Sequence, residues 1–139
     1  MLEDRGVHPD VLRFCKPELV DGNYFHAVLE TTKSVAQKIR DRTGLLIDGV
    51  QLVNEAFTFN GVVPYLALSS LSTPTEQGEQ RGFMTLLSGV FGTFRNPVAH
   101  APRVSWQVSE QDALDLLTFA SYLHRRLDKA TRTPRQIPP

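Results

Sequence analysis

SEQDALDLLTFASYLHRRLDK, residues 109–129, is the stretch on which the reading of the fold depends. Ala113, Leu116, Leu117, Ala120, Leu123 and Leu127 recur every three or four positions, which puts them along one side of a helix. Ser109 stands where a capping hydroxyl belongs. Asp112 follows three residues later, as in a capping box with Asp in place of the usual Glu. Arg125, Arg126 and Lys129 gather in the last turn, where the helix dipole favours cations. A helix with one apolar side must bury that side against other elements, so the neighbouring sequence should supply partners of the same kind.

It does. Tyr24, Phe25, Val28, Leu29, Thr32, Val35, Ala36 and Ile39 form a second stripe, with Asp21 as its expected cap and Gly44 as its stop. A shorter helix is expected from about His8-Pro9 to Cys15, ended by the Lys16-Pro17 step. Ile47, Val50, Leu52, Val53 and Ala56 predict another, closing near Phe57 before Asn60-Gly61 and Pro64. Tyr65-Leu66-Ala67-Leu68 is the one stretch that reads as extended. Ser72-Thr73-Pro74-Thr75-Glu76 is a start signal made of a hydroxyl cap, a proline and an acid. The helix after it carries Phe83, Leu86, Leu87, Val90, Phe91 and Phe94 on one face. Thr85, Ser88, Gly89 and Gly92 lie on the other. Glycine inside a helix costs about 1 kcal/mol relative to alanine, so Gly89 and Gly92 predict a close neighbour, within the chain or across a dimer. The sum is an all-α, antiparallel helical bundle of about four to five helices. It forms a single domain over 1–130, followed by a disordered tail at 131–139.

Composition narrows the function. The hydrophobic fraction of 41% suits one globular core, and the formal net charge is zero. The charge is unevenly spread: residues 1–94 hold 8 Lys/Arg against 11 Asp/Glu, and residues 95–139 hold 7 against 4. The basic third therefore favours an anionic partner. Cys15 is the only cysteine, which rules out an intrachain disulfide or a thiolate cluster. His8, His26 and His124 show no metal spacing with one another or with acids, so neither metal nor cofactor is expected. No run of about 18 apolar residues is present, and the polar start lacks a signal peptide's apolar core. The expected location is the cytoplasm, without membrane contact. The same polar start would suit a C-terminal domain of a longer protein.

The chemistry concentrates at Arg95-Asn96-Pro97-Val98-Ala99-His100. Asn96 followed by Pro97 is a cap and first-residue pair, so a new turn can begin where the preceding apolar helix stops. Arg95 offers a planar fork suited to phosphate oxygens. First-turn amides at Val98 and Ala99 would face the same anion, and His100 can exchange protons near neutral pH. RNA carries its own nucleophile in the 2′-hydroxyl, so a base and a charge stabiliser suffice. Trp106 reads as a loop anchor, or as a stacking platform for a base. Arg125, Arg126 and Lys129 read as a solvated helix end, or as phosphate contacts.

Arg-Asn followed by three residues and His resembles the Arg-x4–6-His motif of HEPN ribonucleases. The wider run Glu79-Gln80-Arg81-Gly82-Phe83, through Leu87-Ser88-Gly89, to Phe94–His100 is similar to the bacterial Ymh-type hypothetical family, a HEPN-like group; the likeness covers about residues 8–128. It implies an all-helical homodimer that cleaves RNA without metal, with Arg95, Asn96 and His100 as the catalytic set. An antitoxin or another protein would be its partner in a toxin or anti-phage setting. The competing expectation is a non-catalytic HEPN-like module that binds RNA or a nucleotide, or only dimerises, within a regulatory protein.

Overall fold

A computed structural model describes residues 6–95 and 107–133, with the backbone alone at 18–20 and at Arg95. The class is all-α. Among the described residues there are five α-helices: α1 (Pro9–Val20), α2 (Tyr24–Thr43), α3 (Gly49–Phe57), α4 (Pro74–Val90) and α5 (Glu110–Lys129). A π-helical turn, Phe91–Arg95, continues α4. Two short strands, β1 (Leu66–Ala67) and β2 (Thr131–Arg132), pair antiparallel, Leu66 opposite Arg132 and Ala67 opposite Thr131. No helix among the described residues is long and apolar enough to cross a membrane.

The described residues divide into two compact units, each built from two chain segments. One draws on Met1–Val35 and Val90–Arg125, the other on Ala36–Gly89 and Arg126–Pro139. In the first unit, Phe25 and Val28 of α2 cluster with Ala113 and Leu116 of α5, and Tyr24, Leu29, Phe94, Val108 and Phe119 pack around them. In the second, α3 buries Leu52, Val53, Ala56 and Phe57, and Phe83 of α4 meets the Phe57 ring edge-on at 5.7 Å. Gln80, fully buried on α4, holds this unit together. Its Nε2 donates to the carbonyls of Phe57 (3.0 Å) and Leu66 (2.9 Å), and its Oε1 accepts the Leu68 amide (3.0 Å). Arg42, near the end of α2, donates to the carbonyls of Leu127 (2.7 Å), Asp128 (3.2 Å) and Ala130 (2.5 Å). It thereby satisfies carbonyls that the end of α5 leaves over.

The helix starts follow local chemistry. The Ser109 hydroxyl accepts the Asp112 amide at 3.0 Å, and Thr73 accepts the Glu76 amide at 3.1 Å, with Pro74 as the first helical residue of α4. Glu76 reaches back to the Ser72 amide and hydroxyl, and these bonds hold its carboxyl below the usual glutamate range. Gly44, at φ 80°, ends α2 as expected, its amide bonded to the Arg40 carbonyl at 2.8 Å.

Several expectations need correction. Pro17 does not end α1, which runs on to Val20. Pro17 has no N–H for the Arg13 carbonyl, but both residues lie on the exposed face, where that loss costs least. The cap of α2 is Asn23 rather than Asp21: its side-chain oxygen accepts the His26 amide at 3.3 Å. Helix α3 starts at Gly49, with Asp48 as cap, and Val50 on it is exposed. Thr131 and Arg132, expected to open a patternless tail, pair with β1, and the Thr133 amide bonds the Tyr65 carbonyl. Backbone pairing of this kind needs no side-chain pattern, which is why the sequence does not betray it; residues 134–139 lie outside the described residues. A Cβ built on Gly89 or Gly92, or on Gly78 or Gly82, meets nothing within 4 Å among the described residues, so no close neighbour within that part of the chain explains these glycines.

Candidate functional site

The ladder of α4 delivers Phe83, Leu87 and Val90 to the buried side and then widens into the π turn Phe91–Arg95. A π turn accommodates one extra residue and occurs often at functional sites. Here it keeps Phe91 fully buried, leaves Gly92 and Thr93 exposed, and lays Phe94 half-buried against the Phe25/Val28/Ala113/Leu116 cluster. Arg95 is the last residue of the turn. Its side chain, together with Asn96, Pro97, Val98, Ala99, His100 and Trp106, lies outside the described residues.

Beside Phe94 the first unit forms a half-open pocket of about 370 Å³, walled by Val28, Val108, Leu116 and Phe119, with Gln107, Asp112 and Asp115 also in its lining. Its apolar walls suit a flat organic group. Its two carboxylates disfavour an anion in this pocket. At the same end of α5, Glu110 interacts with Tyr24, whose phenol is raised above its ordinary value. Desolvation is the larger cause, followed by the charge and hydrogen bond of Glu110.

Two cations considered for RNA contact are engaged, at the surface, with other groups of the chain. Arg125 donates to the Gly6 carbonyl, and Arg126 pairs with Glu79. Lys129 is exposed.

The structure also assembles a polar group that spacing does not reveal. His8, Asp10 and His124 each bring a metal-competent atom within 4.8 Å of the others. The His8 and His124 rings stack at 5.1 Å, and His124 is 1% exposed. His8 and His124 lie near opposite ends of the sequence, so no motif search joins them. The one available hint was a histidine on the apolar side of α5.

Residues 5–127 match the model of a family described as "Protein of unknown function (Hypoth_ymh)". The chain belongs to that family. No curated protein and no solved structure matches it. The Hypoth_ymh match runs from before α1 to Leu127, so it takes in Arg95–His100, the His8/Asp10/His124 group and Gln80 alike.

Proposed function

We propose that this Hypoth_ymh chain is a metal-independent endoribonuclease of the HEPN type, acting through Arg95, Asn96 and His100. The observation that carries the reading is the π-helical turn that closes on Arg95, at the start of the Arg-Asn-x3-His motif. The all-helical class is compatible with it.

In this mechanism the 2′-oxygen attacks the adjacent phosphorus and the bond from phosphorus to the 5′-oxygen breaks. His100 takes the 2′-hydroxyl proton, or gives a proton to the leaving oxygen, and the second copy in a homodimer does the other. Arg95 stabilises the charge growing on the phosphoryl oxygens, and Asn96 orients the phosphate or the imidazole. The products carry 2′,3′-cyclic phosphate and 5′-hydroxyl ends. A protein antitoxin as partner belongs to the same proposal.

The test is RNA incubated in excess EDTA with wild type, Arg95→Ala and His100→Ala, each checked for unchanged helical content. Cleavage that survives chelation in wild type and is lost in both variants is the expected result. Full activity in His100→Ala overturns the mechanism; binding without cleavage in wild type assigns the motif to an RNA-binding module instead.

A further inference from the structure

We infer that His8, Asp10 and His124 form a binding site for a divalent transition-metal ion, with zinc as the best fit, that fastens the start of α1 to α5. None of these three residues belongs to the proposed ribonuclease motif.

The case begins with the buried histidine. Ser34 Oγ lies 2.6 Å from the Thr31 carbonyl and 2.9 Å from His124 Nε2. A serine hydroxyl has one hydrogen, and the carbonyl can only accept, so that hydrogen goes to Thr31. His124 Nε2 must then carry its own hydrogen and donate it to Ser34. In the neutral ring this puts the lone pair on Nδ1, the form in which imidazole ligates a metal. A ligating histidine whose second nitrogen donates to an anchored acceptor is the usual support of a metal centre, fixing both tautomer and ring orientation. Ser34 and Thr31 are buried with it, so that support is built into the facing turns of α2.

The other two donors come from the first residues of α1 and the residue ahead of them. The His8 backbone amide donates to Ser121 Oγ at 2.9 Å, which ties His8 to α5 one turn before His124. His8 Nδ1 accepts the Asp10 amide at 3.0 Å, so its lone pair too lies on Nδ1, engaged by that amide until an ion takes it. Asp10 divides its oxygens: Oδ1 lies 3.7 Å from Arg13 Nη2, while Oδ2 lies 3.9 Å from His8 Nδ1. Side-chain exposures of 13% for His8 and 28% for Asp10 leave an entry path on one side of the buried His124.

Two imidazoles and one carboxylate match zinc with water in the fourth position. Magnesium and calcium, which prefer all-oxygen sets, match poorly. Donor atoms around tetrahedral zinc sit roughly 3.3–3.6 Å apart, from bond lengths of about 2.0–2.2 Å. The present spread of up to 4.8 Å must therefore close by about 1 Å. That closure turns the His8 ring out of its stack with His124 and exchanges its bond from the Asp10 amide for the ion.

The experiment uses the full chain, stripped of metal and freed of chelator, titrated with zinc chloride by calorimetry and with cobalt(II) by visible absorption. One ion per chain at micromolar concentration or tighter, with cobalt bands of a nitrogen and oxygen ligand set, is expected. His8→Asn keeps a capping oxygen for the Asp10 amide but removes the imidazole; Asp10→Asn removes the carboxylate charge. Each should weaken binding by more than about tenfold while helical content stays unchanged. A wild-type chain that takes up neither ion, or two variants that bind as tightly as wild type, overturns the site.

Discussion

At the scale of single residues, the most consequential side chain is one that does no chemistry. Gln80 satisfies two carbonyls and one amide, from the end of α3, from β1 and from the residue after β1, and it does so fully buried. Replacing it by leucine would leave all three backbone groups in an apolar setting without partners, at about 1–3 kcal/mol each when desolvated. Gln80→Leu should therefore lose about 3 kcal/mol or more of unfolding free energy in urea; a loss below 1 kcal/mol would mean that those groups find other partners. Nothing in Glu79-Gln80-Arg81 announces this role, because a glutamine in a helix reads as a solvated residue until the carbonyls above it are known. The same blindness hid His8 and His124. Caps were more legible: Ser109 and Thr73 bond the amides their positions predict, whereas Asn23, not Asp21, caps α2. Two plausible oxygen acceptors two residues apart cannot be ranked without knowing where the chain turns, and Gly22, at φ 71°, moves that turn past Asp21.

At the scale of elements, periodicity carried most of the fold. The stripes of α2 and α5 come out on the buried side, as does that of α4 except for Leu86, which is exposed, and the one segment read as extended supplies β1. Apolar spacing is a local signal that burial acts on directly, so it survives translation into structure. Proline is less reliable: the penalty read at Pro17 falls on an exposed face and α1 absorbs it. Glycine on α4 is a further case. Gly82 and Gly89 have ordinary helical backbones and open space where a Cβ would stand. Gly82→Ala and Gly89→Ala should each stabilise the isolated chain by about 0.5–1 kcal/mol, seen as a higher midpoint in urea or heat. A loss of stability in both would show that the open side is occupied. The bend expected around Asn96-Pro97 lies outside the described residues; just before it, at Phe91–Arg95, a π turn stands in place of a plain helix end. An extra residue in a ladder leaves the spacing of Leu87, Val90, Phe91 and Phe94 almost unchanged, so apolar pattern alone does not show it.

At the scale of the whole molecule, the proposed mechanism requires two copies, because one His100 cannot serve as base and acid in the same step. Sedimentation at micromolar concentration should give twice the chain mass of 15.6 kDa; a monomer throughout would remove the two-copy mechanism. The division of the chain has a separate consequence for how it is made. Each compact unit takes an early and a late segment, and the first needs residues as far as Arg125. At about 5–20 residues per second, a ribosome spends roughly five to twenty seconds between Val35 and Arg125. For most of that interval Phe25 and Val28 have been made while Ala113 and Leu116, the residues that will cover them, are still to be translated. Newly made chains should therefore depend on holding chaperones more than their size suggests, and synonymous codon changes that slow translation between α2 and α5 should lower the soluble yield.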